Sequence, residues 1–152
     1  MSAITQEYTS QEIEPERSSV RHLLGIPTTA DLRSEVTEMF DRAFDLFHRL
    51  VEPRGISEVI TQEEFAALHV GEGKNDPETP LESIYPQADD LALFAVTLGR
   101  EVSENIARLF DENDFAFAII FDAVASEGAE RLAEEVTRGH LAMTEGINDQ
   151  VT

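Results

Sequence analysis

The chain has 152 residues, of which 41% are hydrophobic and 7% aromatic, enough for one domain with a hydrophobic core. Its formal net charge of −20, from 31 acidic and 11 basic residues, should repel nucleic-acid phosphates and anionic membranes, so we expect neither as a partner. The absence of cysteine excludes disulfides, thiolate metal sites and a cysteine nucleophile.

The first segment, residues 1–16, is polar and acidic and has no periodicity, which predicts a mobile tail. It carries neither the basic n-region nor the apolar h-region of a secretory signal. No window approaches the roughly 18–20 apolar residues of a membrane span. We therefore expect a cytoplasmic protein.

Two helices are predicted next. ERSSVRHLLGIP predicts a short helix that ends at Gly25, with Pro27 beyond it as a stop signal. Thr29 or Asp31 could cap the long helix that follows. One face of that helix carries an apolar stripe, formed by Leu32, Val36, Met39, Phe40, Ala43, Phe47 and Leu50.

The middle of the chain is less regular. Ile56, Val59 and Ile60 suggest a strand, and residues 65–70 could form a second strand or a turn of helix. GEGKNDPE has the composition of a loop. TPLE, from Thr79, then resembles a capping box with proline at the first helical position, which predicts a short helix.

LALFAVTLGREVSENIARLF, residues 91–110, predicts a strand buried on both faces that runs through a Thr-Leu-Gly turn into a helix. The last helix is predicted from about residue 114 to 137. Its first half, FAFAIIFDAVA, is apolar nearly all round, which indicates a central helix. A single domain over residues 17–138 follows, with a loose tail over 139–152.

Asp122 is a carboxylate within this apolar helix, and Ser126 and Glu130 share its face at i+4 and i+8. One interpretation is that the face meets solvent or pairs with arginines such as Arg100 or Arg108. The other is a polar cleft that holds the amine or hydroxyls of a small ligand. The histidines lack metal-site spacing, and no nucleophile–base pair or phosphate loop can be assembled.

A succession of four segments resembles the activation domain of cobalamin-dependent methionine synthase and its free-standing relatives. In chain order they are LALFAVTLG, an amphipathic helix, DENDF and IIFDAVASEGAERLAEEV. The matching positions are Thr97, Gly99, Asp122, Ala123, Ser126 and Glu130. VRHLLGIP and LVEPRGISEV are similar to the beginning of those proteins, so the resemblance covers about residues 18–137. The Arg-x-x-Pro-Gly-Tyr segment that follows the last helix in the family has no counterpart here, which suggests a shortened form.

The resemblance implies an α+β fold with a twisted, mainly antiparallel sheet flanked by helices. It also implies that S-adenosylmethionine bound on the domain supplies a methyl group when inactive cobalamin is reduced and remethylated. Glu130 would hold the ligand's amino group, near Thr97 and Gly99, with Asp122 and Ser126 on the same face as Glu130. The cobalamin would belong to a partner methyltransferase or corrinoid protein, so the chain would not be an enzyme alone.

Three functions stay open at this point. An accessory protein for reactivation predicts a cleft near Glu130 and Thr97. A non-catalytic acidic module, which keeps the fold but has lost S-adenosylmethionine binding, predicts that Asp122 and Glu130 are paired internally, with no concave site beside them. A stand-alone enzyme of another type is the least supported. Self-association is compatible with all three.

Overall fold

The computed structural model describes residues 3–69 and 85–148. Its elements in chain order are β1 (Ile4–Glu7), α1 (Arg17–Leu23), α2 (Ser34–Leu50), β2 (Arg54–Thr61), α3 (Gln62–Leu68), a 3-10 turn (Tyr85–Gln87), β3 (Asp90–Thr97), α4 (Arg100–Asp111) and α5 (Phe115–Asn148). The predicted α+β class is confirmed. The predicted loop at 71–78 and most of the helix predicted from Thr79 lie outside the described residues.

The sheet has the order β1-β2-β3, with antiparallel pairing throughout. Thr5, Ile56 and Ala95 are directly opposed across the three strands, so they share one face. The other face lies against α5, because a Cβ on Gly55 would collide with the side chain of Val136. Helices therefore cover one face of the sheet much more fully than the other.

The mobile tail predicted for residues 1–16 is wrong, since β1 pairs with β2 and Ile13 is fully buried. The Tyr8 amide donates to the Pro53 carbonyl over 3.0 Å. Burial raises the pKa of the Tyr8 phenol, and the carboxylates of Glu135 and Glu12 raise it further. The strand was missed because β1 is held by backbone hydrogen bonds, which leave no trace in hydrophobic periodicity.

The two helices predicted after this segment are present. α1 ends as expected, with Gly25 in the left-handed region at φ 69° and the Ile26 amide donating to the Arg21 carbonyl over 2.9 Å. α2 begins at Ser34, so neither Thr29 nor Asp31 is its N-cap. The Arg21 guanidinium donates to the carbonyls of Pro27 and Ala30, and these bonds hold residues 27–30 outside the helix.

The core lies between α2 and α5, and the predicted central helix is confirmed. The first half of α5 buries Phe117, Ala118, Phe121, Val124 and Ala125. From α2 come Phe40, Ala43, Phe44 and Phe47, most of which belong to the predicted stripe. The two helices approach closely at Gly128, where a Cβ would lie 2.5 Å from Cε2 and Cζ of Phe47.

The structure also decides the ends of α3 and α5, which the sequence left open or placed differently. Of the two alternatives for residues 65–70, residues 65–68 are helical: α3 ends at Leu68, and a capping box of Thr61 and Glu64 starts it. Val70 lies outside the described residues. α5 continues to Asn148, so the tail predicted as loose from residue 139 is helical up to there. Gly139 and Gly146 weaken this extension, while leucine, alanine and methionine at 141–143 favour helix.

Within the described ranges, no helix is both long enough and apolar enough to cross a bilayer.

Candidate functional site

The corner Thr97-Leu98-Gly99 joins β3 to α4, as predicted. The Gly99 amide donates to Oγ1 of Thr97 over 3.1 Å, and the Leu98 carbonyl accepts from the Glu52 amide over 2.8 Å. Gly99 is the N-cap of α4 and has φ 95° and ψ 162°, a conformation that is essentially restricted to glycine. The corner is therefore a constrained junction.

Replacing Gly99 by alanine is expected to lower the free energy of unfolding by about 1–3 kcal/mol. The positive φ strains any L-residue, and the new Cβ would lie 3.1 Å from the Cβ of Glu52. Urea unfolding followed by circular dichroism measures the loss. Gly139→Ala in α5 is the control, since its Cβ would meet nothing closer than 3.5 Å and alanine favours helix. Equal midpoints for the Gly99 variant and the wild type would contradict the constraint.

β3 is not buried on both faces, which corrects the expectation from its continuous apolar run. Leu93 is 42% exposed and Phe94 50% exposed. Within the described sheet β3 is an edge strand, and an apolar run alone does not distinguish an edge strand from a central one. Thr97 lines a cavity of about 230 Å³ on the open face of the sheet, together with Arg54 and Ile56.

Asp122, Ser126 and Glu130 lie on one exposed stripe of α5. Of the two interpretations of this stripe, contact with solvent describes Asp122 and Ser126. The proposed pairing with arginines does not, because Arg100 lies 4.0 Å from Glu104 and Arg108 donates to Asn105 over 2.6 Å. The helix is apolar elsewhere because the core surrounds its remaining sides.

Glu130 lies on an open surface along one face of α5, with Thr137, Arg138 and Leu141. Thr97 lines the separate cavity on the sheet. The structure thus divides the predicted site residues into two groups, the stripe on α5 and the corner at Thr97 and Gly99. Their roles toward a ligand stay predictions.

A cluster that the sequence-based reasoning missed lies between α2, α4 and the start of α5. Arg42, Arg49 and Arg108 line a cavity of about 620 Å³ there. Its sequence signal was available, because Arg42 and Arg49 are seven residues apart and therefore share a face of α2. In the part of the chain that the structure describes, no group of three or more His, Asp or Glu side chains is arranged to hold a metal ion.

The fold defines a class: an α+β domain in which an antiparallel sheet lies against one long helix. The chain is similar in structure to the MetH reactivation domain bound to AdoHcy, with a TM-score of 0.54 and 16% sequence identity. The match covers 90% of this chain and 54% of that one, so the chain spans about half the length of its structural neighbour. This confirms the fold that the sequence resemblance implied. No protein-family model and no curated protein matches the sequence.

Proposed function

We propose that the chain is an accessory protein of the reactivation-domain type, which binds S-adenosylmethionine and assists the reductive methylation of a corrinoid on a partner methyltransferase. The observation that carries the proposal is the likeness in fold, over 90% of the chain, to a domain that binds AdoHcy. The corrinoid, the electron donor and the methyl acceptor would belong to other proteins, so the chain would supply a ligand site and a docking surface.

Glu130 is the residue that best fits this role. Its carboxylate is exposed on the open face of α5 and forms no ion pair with the described residues. A carboxylate suits the ammonium group of S-adenosylmethionine, because a charge-assisted hydrogen bond is about twice as strong as a neutral one. Asp122 and Ser126, on the same face, would serve the ligand's hydroxyls. Thr97 and Gly99 lie outside that surface, so their proposed contribution is to shape the corner between β3 and α4.

Isothermal titration with S-adenosylmethionine, and separately with AdoHcy, tests the ligand site. The wild type is expected to give a dissociation constant below about 1 mM, worth more than roughly 4 kcal/mol. Glu130→Gln should weaken binding about tenfold, by removing the charge that faces the ammonium. Glu38→Gln, at an exposed carboxylate of α2, is the matched control and should bind like the wild type. A flat titration, or equal weakening by both variants, would refute the ligand site.

A second candidate is an acidic interaction module that has lost the ligand. The exposure of Asp122, Ser126 and Glu130 beside the exposed apolar Phe115 and Ile119 favours it, since apolar and charged groups together suit a protein surface. This function predicted internal partners for Asp122 and for Glu130, and within the described residues neither carboxylate has an ion-pair or hydrogen-bond partner. A flat titration, combined with salt-sensitive binding to a basic partner that Asp122→Asn weakens, would support this candidate.

A further inference from the structure

The arginines of this acidic chain differ in whether a carboxylate lies beside them. Several lie beside carboxylates, as in the pairs Arg17–Asp41 at 2.6 Å, Arg54–Glu52 at 3.3 Å, Arg100–Glu104 at 4.0 Å, Arg131–Glu16 at 3.8 Å and Arg138–Glu135 at 2.6 Å. Arg42, Arg49 and Arg108 form no ion pair with any described residue. With 31 acidic and 11 basic residues in the chain, three such guanidinium groups in one cavity are a marked exception.

Two helices bring these side chains together. Arg42, Leu46 and Arg49 lie at i, i+4 and i+7 on α2, beside the stripe that enters the core. Across the cleft, α4 presents Asn105 and Arg108. Leu46, Leu109 and Phe117 form an apolar floor, of which Leu109 and Phe117 are buried. The result is a cleft of about 620 Å³ with an apolar base and a rim that carries guanidinium groups.

Two of the guanidinium groups are oriented by neighbours other than carboxylates. The Arg42 guanidinium carbon lies 4.4 Å from the ring centroid of Phe117, a cation–π arrangement. Nη2 of Arg108 donates to Oδ1 of Asn105 over 2.6 Å. Both contacts fix the guanidinium groups while leaving other N–H donors for a further partner, since each carries five.

The residues that line the cleft carry a net positive charge, on a protein of charge −20. Three guanidinium groups outweigh the single carboxylate of Asp45, and His48 lies with Nε2 3.2 Å from Oε1 of Glu14. Like charges that line one cleft repel one another, so a bound anion would stabilise the arrangement. The planar fork of arginine matches phosphate and carboxylate oxygens in bidentate geometry.

We propose that this cleft binds a small molecule with more than one anionic oxygen group, either phosphate or carboxylate. Arg49 and Arg108, from opposite sides, would hold the anionic groups, and the floor of Leu46, Leu109 and Phe117 would contact the carbon part. The volume lies within the range of roughly 300–1,000 Å³ that is usual for small-molecule sites. The proposal uses none of the residues assigned to S-adenosylmethionine, so each can fail without the other.

Isothermal titration with pyrophosphate and with citrate tests the cleft and distinguishes phosphate from carboxylate ligands. The buffer should contain about 0.15 M salt, because the Debye length of about 8 Å then screens the net charge but leaves contact pairs intact. Saturable binding of at least one probe is expected, weakened about tenfold by Arg49→Gln and by Arg108→Gln. Arg100→Gln, on the same helix as Arg108 but paired with Glu104, is the matched control and should leave binding unchanged.

Arg108→Lys keeps the positive charge but removes the planar guanidinium group, and it should also weaken binding. Circular dichroism establishes that every variant compared is folded. If neither probe binds the wild type at concentrations up to about 10 mM, the site does not exist. If Arg100→Gln weakens binding as much as Arg49→Gln, the effect is that of net charge alone and the proposal is overturned.

Discussion

Replacing Phe121 by alanine is expected to lower the free energy of unfolding by about 3–5 kcal/mol. Phe121 is 0% exposed in α5, and its ring is stacked on that of Phe117 with centroids 6.3 Å apart. Alanine would leave a cavity in the most densely covered part of the core. Since single domains are stable by about 5–15 kcal/mol, the loss is a large part of the total.

Urea unfolding followed by circular dichroism measures this loss, provided that a single transition describes it. Ile119→Ala on the same helix is the matched control, because Ile119 is 50% exposed and its truncation leaves no enclosed cavity. It should cost about 0.5 kcal/mol or less. Comparable losses for the two variants would show that α5 is not the central helix.

The second large effect is expected at Gly128, where alanine should destabilise the protein by about 1–3 kcal/mol. In an unobstructed helix the same change would stabilise by about 1 kcal/mol, because alanine favours helix over glycine. Here the new Cβ would lie 2.5 Å from two ring atoms of Phe47, which is 0% exposed and has no route to solvent. Steric overlap therefore outweighs helix propensity. Thermal and urea unfolding of Gly128→Ala test the sign directly.

A double-mutant cycle isolates the contact. Phe47→Leu alone should destabilise by removing buried ring atoms, but it should also relieve the overlap in the Gly128→Ala background. The double variant is then more stable than the sum of the two single losses, by about 1 kcal/mol or more. Strict additivity would mean that α2 and α5 do not touch at this point.

Much of the helical framework could be predicted from sequence because its signals are local. The stripe through Phe40 and Phe47 marked the buried face of α2, and Gly25 marked the end of α1. β1 could not be predicted in this way, since its four residues have no apolar alternation and its partner lies far along the chain in β2. The exposure of β3 was missed for a related reason, because it depends on the number of strands beside it.

The candidate site was less predictable than the fold. Helical spacing correctly placed Asp122, Ser126 and Glu130 on one face, but the apolar residues around Asp122 concealed that this face points to solvent. The order of motifs along the chain gave no distance between Thr97 and Glu130, and the structure places them on different surfaces, the sheet and one face of α5. The arginine cleft depends on α2 and α4 facing each other, which periodicity within either helix does not encode.

The open face of the sheet has a consequence for how copies of the protein behave in a crowded solution. Ile56 is paired with Ala95, and Leu93 lies two residues from Ala95 on the same face. Both apolar side chains are exposed, which by itself favours association between copies. Each copy also carries a charge of −20, so two copies repel at a separation near the Debye length, before these apolar patches can touch. The excess of carboxylates therefore keeps copies of the protein from associating through this face. The repulsion weakens as acid neutralises the carboxylates.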